Sequence, residues 1–437
     1  MQKITINEFF ETQHKPYTIY DSQRSIANVI DGLKITQRKI VHTCKKRTNT
    51  EIKVAQLCSS VAAETAYHHG EAGIGGVICN LAQNFAGSNN INLLEPIGQF
   101  GSRLSPIPAA HRYIFTKLSP SFNTLFNSTD DVILEHLYED DQQIEPKFYV
   151  PILPVVLING THGIGTGYAS KVLAYNPIDV KNDIIAILNG TPRIELIPWY
   201  KNFIGQILKG ENQNQWIFKG KLEIVNSTTI SITELPIGMF LDDIKTILNK
   251  LKETDVIKDY DDDSSEDGFN IEIKCPRNVT NMDIDTIYNT FKLVSKDTEN
   301  LTLWNVNSKL QVFNSAAEIV DYFVKYRLHI YELRRLKLID IVTAEIADIS
   351  EKIRFINYYI ENATTFKELS KKQLVELLSN NGFINVDKLL SMPIYNLTKD
   401  KIADLNTSLK NKEKELKSLL NTTANKMYLN EVSSISL

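Results

Sequence analysis

The sequence predicts a chain of mixed α and α/β domains: a helix-turn-helix head, an α/β middle domain, and a long antiparallel coiled coil with a small helical tip. Three observations carry this expectation. A basic segment interrupted by one turn glycine lies near the start, and short β-rich runs around a single helix fill residues 194–275. An isoleucine repeat then runs through a stretch, 315–381, that holds neither Pro nor Gly. At 437 residues the chain is long enough for two or three domains, each with its own core.

The head is read over 1–150. Ser22-Gln23-Arg24-Ser25-Ile26 leads to an Asp31-Gly32-Leu33-Lys34 turn, and a second helix follows through Gln37, Arg38, Ile40 and Val41. The turn glycine supports a helix-turn-helix whose second helix carries most of the positive charge. Between Lys34 and Lys53 seven cations face one anion, Glu51, on a chain whose net charge is −4. A basic face on a mildly acidic protein suits a DNA groove, although such a run is also an ordinary solvated helix face. Residues 53–87 read as helical, with apolar positions at Val54, Leu57, Cys58, Val61 and Ala62, and glycines crowd 70–101.

The middle domain is read over 151–305. Tyr149–Ile158 is a buried-strand candidate broken by prolines, and β-rich runs follow at 204–208, 228–232 and 270–273 with a helix near 240–252. The acidic run Asp259–Asp267 lacks the sixth-position Gly and the closing Glu of a calcium loop, and is expected to be a solvated loop with no metal.

The arm is read over 306–437. Ser315-Ala316-Ala317-Glu318 predicts a capped helix start, and Ile339, Val342, Ile346, Ile349, Ile353, Ile356 and Ile360 repeat at 3/4 spacing. A second seam runs through Ile402, Leu405, Leu409, Leu416 and Leu419, with Lys412 in place of one apolar residue. Some 35 residues separate the seams, so an antiparallel pair with a tip at about 362–400 is expected, and an ordinary helical bundle is the alternative.

Four cysteines without Cys-x-x-Cys spacing argue against a zinc site or a disulfide framework and suit a reducing compartment. Neither an apolar leader at Met1–Thr5 nor an 18-residue apolar run occurs, so a cytoplasmic protein without a membrane anchor is expected.

The chemistry concentrates at Pro108–Thr116. A tyrosine with a pKa of about 10 attacks a phosphodiester only where a base or a cation favours its phenolate. Fixed cations also stabilise the charge that gathers on the phosphoryl oxygens. Arg112 lies beside Tyr113, and His68-His69-Gly70-Glu71 and Gly98-Gln99-Phe100-Gly101-Ser102-Arg103 lie upstream. Each feature alone has a plainer reading, as a half-buried tyrosine among 18 or a hydrogen-bonded loop histidine.

The ordered motifs settle the weight. Arg24-x-Ile26 followed by Asp31-Gly32-Leu33-Lys34-x-x-Gln37-Arg38-Lys39, then Ala66–Glu71, Ala82–Asn90, Gly98–Arg103, Arg112–Thr116 and Leu390–Thr398, resemble the breakage–reunion subunit of type II DNA topoisomerases, the family of the eukaryotic enzyme and of the gyrase A protein. The nearest likeness is to the medium-subunit branch of T-even-type phages. The resemblance implies a winged-helix cleavage domain, an α/β tower domain, and a coiled-coil arm whose tip forms the exit-gate dimer contact. It implies that Tyr113 forms a 5′-phosphotyrosine, that Arg112 and His69 assist, and that Arg24, Lys34, Arg38, Lys39, His42, His68 and Arg103 serve DNA binding. It makes Ile164, in Gly163-Ile164-Gly165-Thr166-Gly167, a wedge between base steps. Read alone, that stretch is a tight strand-end loop with a buried Ile, or a dinucleotide loop spoiled by Tyr168. No Gly-x-x-x-x-Gly-Lys-[Ser/Thr] loop occurs, so Mg²⁺ and ATP are expected on a separate large subunit. The other implied partners are double-stranded DNA and a second copy of this chain. The competing readings are a DNA-organising coiled-coil protein without catalysis and another tyrosine-using DNA enzyme, a recombinase or relaxase.

Overall fold

The computed structural model describes residues 4–47, 50–67 and 70–436. His68 and His69, two of the expected site residues, lie outside the described residues. The chain divides into two units, Met1–Arg327 with Leu429–Leu437, and Leu328–Tyr428.

In the first unit an opening helical run, 6–25, ends at Ser25, and the next helix is Ile35–Lys45. The turn between them needs its glycine. Gly32 sits at φ +67°, and a Cβ there would lie 2.4 Å from the Val156 backbone nitrogen. Asp31 closes the turn by accepting from the Leu33 and Tyr149 backbone N–H groups at 3.0 Å each. The 53–87 segment forms two helices, Val54–Glu64 and Glu71–Ala82. Val54, Leu57, Cys58 and Val61 are buried, as the periodicity predicts.

Tyr149–Ile158 is buried but is not a strand. It forms only a short helix, Val155–Ile158, after a run bent by prolines. A short apolar run reports burial without choosing between helix and strand. The β-rich runs do form strands: Gln206–Lys209, Thr229–Glu234 and Ile271–Lys274. They belong to wholly antiparallel sheets of three and four strands. Alternation puts Ile230, Ile232, Ile271 and Ile273 on one buried face, packed with Ile244 and Leu248 of helix Leu241–Glu253. The acidic run departs from the expected loop. Its first half is the edge strand Asp259–Asp262, where Asp259, Asp261 and Asp262 pair with Lys252, Lys274 and Lys245 at 2.7–2.8 Å.

Helix Ala316–Glu361 runs 46 residues, about 70 Å at 1.5 Å per residue. Ser315 caps it by accepting from the Glu318 N–H at 3.3 Å, while Glu318 reaches back to the Asn314 N–H at 2.7 Å. In the second unit this helix packs against helix Lys399–Asn421. Arg335 reaches the Leu419 carbonyl, Glu345 pairs with Lys412 at 2.7 Å, and Ile356 packs with Ile402 and Leu405. Numbers rise on one helix as they fall on the other, so the pair is antiparallel. Between them helices Ala363–Glu368, Lys371–Asn380 and Val386–Leu390 build the tip around Phe355, Leu378, Phe383 and Leu389.

Candidate nucleic-acid cleavage site

Tyr113 stands on a surface loop whose stem is fixed. Phe115–Thr116 pairs antiparallel with Ile52–Lys53, the Val54 N–H donates to the Ile114 carbonyl at 3.0 Å, and the Ala55 N–H donates to the His111 carbonyl. Ile114 is 1% exposed while Tyr113, one residue earlier, is 66% exposed. The Arg112 guanidinium lies 4.7 Å from the Tyr113 ring centroid, a cation over the face of the phenol. This places a hydroxyl nucleophile and a permanent cation together on solvent-facing backbone that the buried Ile114 anchors.

The same loop contains a feature that the sequence reading missed. The His111 ring fits against Gly75 of helix Glu71–Ala82, where a Cβ would lie 2.2 Å from the ring. The Gly73-Ile74-Gly75-Gly76 run was the available signal, since glycine inside a helix marks close approach.

A second cluster forms at the hairpin Thr161–Gly165 with Tyr168–Val172. A strand rather than a helix follows the glycine-rich turn, which disposes of the dinucleotide-loop alternative. A Cβ at Gly163 would sit 1.9 Å from the Ser25 carbonyl oxygen, so only glycine lets the strand pack on that helix end. Lys34 Nζ donates to the His162 carbonyl at 2.6 Å, and Thr166 donates to Asp21 through both its N–H and its hydroxyl. The Thr166 hydroxyl, and then its N–H, hold the Asp21 carboxyl below its ordinary range, while burial lowers the Lys34 ammonium. Ile164 projects from this braced hairpin at 72% exposure, against the buried-Ile alternative. Arg24, half-buried, lies over the Tyr20 ring at 5.7 Å.

The basic helix turns two of its cations inward. Arg38 is 6% exposed and forks onto Asp31 at 2.7 and 3.2 Å while also bonding the Leu33 carbonyl. Lys39 is 8% exposed and pairs with Glu145 at 2.9 Å. Both cations are ion-paired in the interior of the first unit. Arg103 likewise turns inward, bonding Glu234 and the Leu235 and Met239 carbonyls. His42 is buried, stacked edge-on to His136 at 6.0 Å, and pushed down to about 4 by burial and then by Lys46, His136 and Lys45.

Among the described residues no hydrogen bond, ion pair or ring contact joins the Arg112–Tyr113 loop to Arg24, Lys34 or Ile164. No group of three His, Cys, Asp or Glu among them is arranged to hold a metal ion, and lysines pair with Asp259, Asp261 and Asp262 of the acidic run.

Comparison with known proteins agrees with this architecture. The family of DNA gyrase/topoisomerase IV A-type subunits matches residues 24–437. The chain is 38% identical over 466 residues to DNA topoisomerase 2 of Plasmodium falciparum, covering 96% of this chain and 33% of that one. It is 34% identical to DNA topoisomerase 2-beta of Gallus gallus, covering 99% and 29%. A crystal structure of the Plasmodium falciparum topoisomerase II DNA-binding, cleavage and re-ligation domain superposes with a TM-score of 0.91 at 38% identity, over 98% of this chain and 63% of that one. The chain belongs to this DNA gyrase/topoisomerase IV family, within the type II DNA topoisomerases. It spans about a third of the length of the curated relatives it matches. No helix among the described residues is long and apolar enough to cross a membrane.

Proposed function

We propose that this chain is the DNA-cleaving and religating subunit of an ATP-dependent type II DNA topoisomerase, acting as a two-fold dimer in relaxation and decatenation. The observation that carries this reading is the exposed Tyr113 under the Arg112 guanidinium, on a fixed stem, in a chain that belongs to this family. In each protomer the Tyr113 oxygen bonds the backbone phosphorus, the P–O3′ bond breaks, and the 3′ oxygen leaves with a proton. The product is a 5′-phosphotyrosine, and the reverse displacement reseals the strand without ATP at that step. Arg112 holds the charge that develops on the phosphoryl oxygens, and His69 is assigned the assisting role. Two Tyr113 residues cut opposite strands so that a second duplex passes between them.

Ile164, exposed and braced by Lys34 and Asp21, is assigned as the wedge, with Arg24, Lys34 and His68 along the same DNA. Residues 1–150, 151–305 and 306–437 are assigned as cleavage domain, tower and arm. The tip at about 362–400 carries the exposed Ile384, Ile394 and Tyr395, a set suited to a second dimer contact. Mg²⁺ and ATP are assigned to a separate large subunit, in the cytoplasm in which the pair works.

The test mixes the chain with that subunit, Mg²⁺ and supercoiled DNA, quenches with detergent, and maps nucleotide-modified peptides. A 5′-phosphate on Tyr113 is expected. DNA binding and ATP hydrolysis with Tyr113 unmodified would sink the assignment and favour a DNA-organising protein without catalysis.

A further inference from the structure

Beside the end of helix Ile35–Lys45 lies a cleft of about 200 Å³ that the strand-cleavage reading leaves unused. It is lined by His42, Lys45 and Lys46, by Asp131 of the short 3-10 helix Ser128–Ile133, by His136 of the hairpin His136–Glu139 with Gln142–Pro146, and by Tyr149. Neither Arg112 nor Tyr113 lines it.

Two of its polar atoms are buried without a partner, His42 Nε2 and the Tyr149 hydroxyl. His42 is 8% exposed and Tyr149 is 3% exposed. Buried polar atoms are nearly always paired, so two orphans on side chains that line one cleft point to an occupant beside them. Their surroundings are otherwise fixed. The Tyr149 N–H is held by Asp31 at 3.0 Å, and its ring packs edge-on to Phe126. His136 Nδ1 lies 2.8 Å from the Ile144 carbonyl, which makes that nitrogen the donor and leaves Nε2 as the second ring atom.

The charges decide what the occupant is. Lys45 pairs with Asp131 at 2.6 Å and lies 5.3 Å from the Tyr149 ring centroid. Lys46 has no carboxylate within salt-bridge distance among the described residues, so the cleft keeps one uncompensated cation. The same field keeps His42 neutral, with burial the largest cause and Lys46, His136 and Lys45 behind it, against an opposing pull from Glu64. Burial likewise keeps the Tyr149 phenol protonated and therefore a donor. A metal ion would meet two lysines here, and no group of three metal-binding side chains among the described residues is arranged for one. A single water fills roughly 30 Å³ of liquid volume, a small part of this cleft. Donors, a free cation and room for a tetrahedral group all favour an oxyanion.

We propose that this cleft binds a phosphate-class oxyanion, with the Tyr149 hydroxyl as buried donor, His42 donating from Nε2 in its Nε2–H tautomer, and Lys46 as counter-charge. The occupant is either free phosphate or one phosphate of a bound duplex. The site goes beyond the strand-cleavage reading and does not depend on it.

The test is a titration of the full-length chain with inorganic phosphate against chloride at matched ionic strength, followed through histidine ring ¹⁵N shifts. Saturable binding is expected, with the His42 ring responding and its proton affinity rising as the anion enters. Tyr149→Phe keeps the ring packing and removes only the hydroxyl. It should weaken binding by about tenfold, one hydrogen bond to a charged group. His42→Phe, which preserves the edge-on contact with His136, should do the same. A blunt duplex added to the phosphate-saturated chain separates the two sources. Displacement assigns a backbone phosphate, and simultaneous binding assigns the free anion. Absence of saturation up to roughly 100 mM phosphate, where binding would be worth less than about 1.4 kcal/mol, or unchanged binding in both variants, overturns the site. None of these readouts involves cleavage or Tyr113, so failure here leaves the strand-cleavage reading untouched.

Discussion

Arg38 and Arg112 are the same residue type in the same small head, and their settings are opposite. Arg38 is 6% exposed, forked onto a carboxylate that is itself fully buried, and further tied to a carbonyl. Arg112 is exposed, has a phenol ring as its contact, and stands on a surface loop. A cation surrounded by protein acceptors contributes to the fold. A cation left with an aromatic face and water is available to a phosphate. The contrast separates charge spent inside the fold from charge left at the surface, a distinction that a charge count along a helix does not make.

The largest test of that contrast exchanges the two outcomes. Tyr113→Phe, and to nearly the same degree Arg112→Leu, should abolish the covalent adduct trapped with Mg²⁺ and the proposed large subunit. Thermal stability should stay within about 0.5 kcal/mol of wild type, as for exposed positions generally. Arg38→Leu should do the reverse. It strands Asp31 as an unpaired buried carboxylate and should cost about 3–5 kcal/mol, read as a shift of the urea midpoint. A stable Arg38→Leu chain with weakened DNA binding would return Arg38 to the groove and break the comparison. Next in size is Gly163→Ala, whose methyl would collide with the Ser25 carbonyl at 1.9 Å. Overpacking of this kind costs about 1–3 kcal/mol, and the displaced hairpin should carry Ile164 with it. Calorimetry and a DNA-bending assay should therefore move together.

How much of this was legible depends on how local each cause is. The arm could be read because its cause repeats every three or four residues. Ile402, Leu405, Leu409, Leu416 and Leu419 are all half-buried on their mostly exposed helix, and Lys412 among them finds Glu345 and Glu415. The strand at Thr229–Glu234 could be read for the same reason, since alternation is local. Tyr149–Ile158 could be read as buried and not as shaped, because a continuous apolar run has no period. The fate of Lys39 could not be read, since its carboxylate, Glu145, lies 106 residues away. Arg38 was nearer to legible: Asp31, seven residues upstream in the same turn, could have been weighed as its partner. The glycine at 75 and the histidine at 111 meet only in the fold.

The smallest expected effect concerns His42, which sits between the two extremes: buried like Arg38, yet with an unspent ring nitrogen like a surface group. Its pKa falls from 6.5 to about 4, through burial first and then through Lys46, His136 and Lys45, with Glu64 opposing. Between those values the unfolded chain binds a proton that the folded chain refuses. The contribution to stability is therefore complete above pH 6.5 and is lost as pH falls toward 4. His42→Phe removes that titration and keeps the edge-on contact with His136. Its stability measured from pH 7 down to 4 should fall less steeply than that of wild type, by the slope of one titrating ring. Identical slopes would mean that the ring is already paired or protonated in the folded head. His42 would then belong with Arg38, as a group whose capacity the fold has already used.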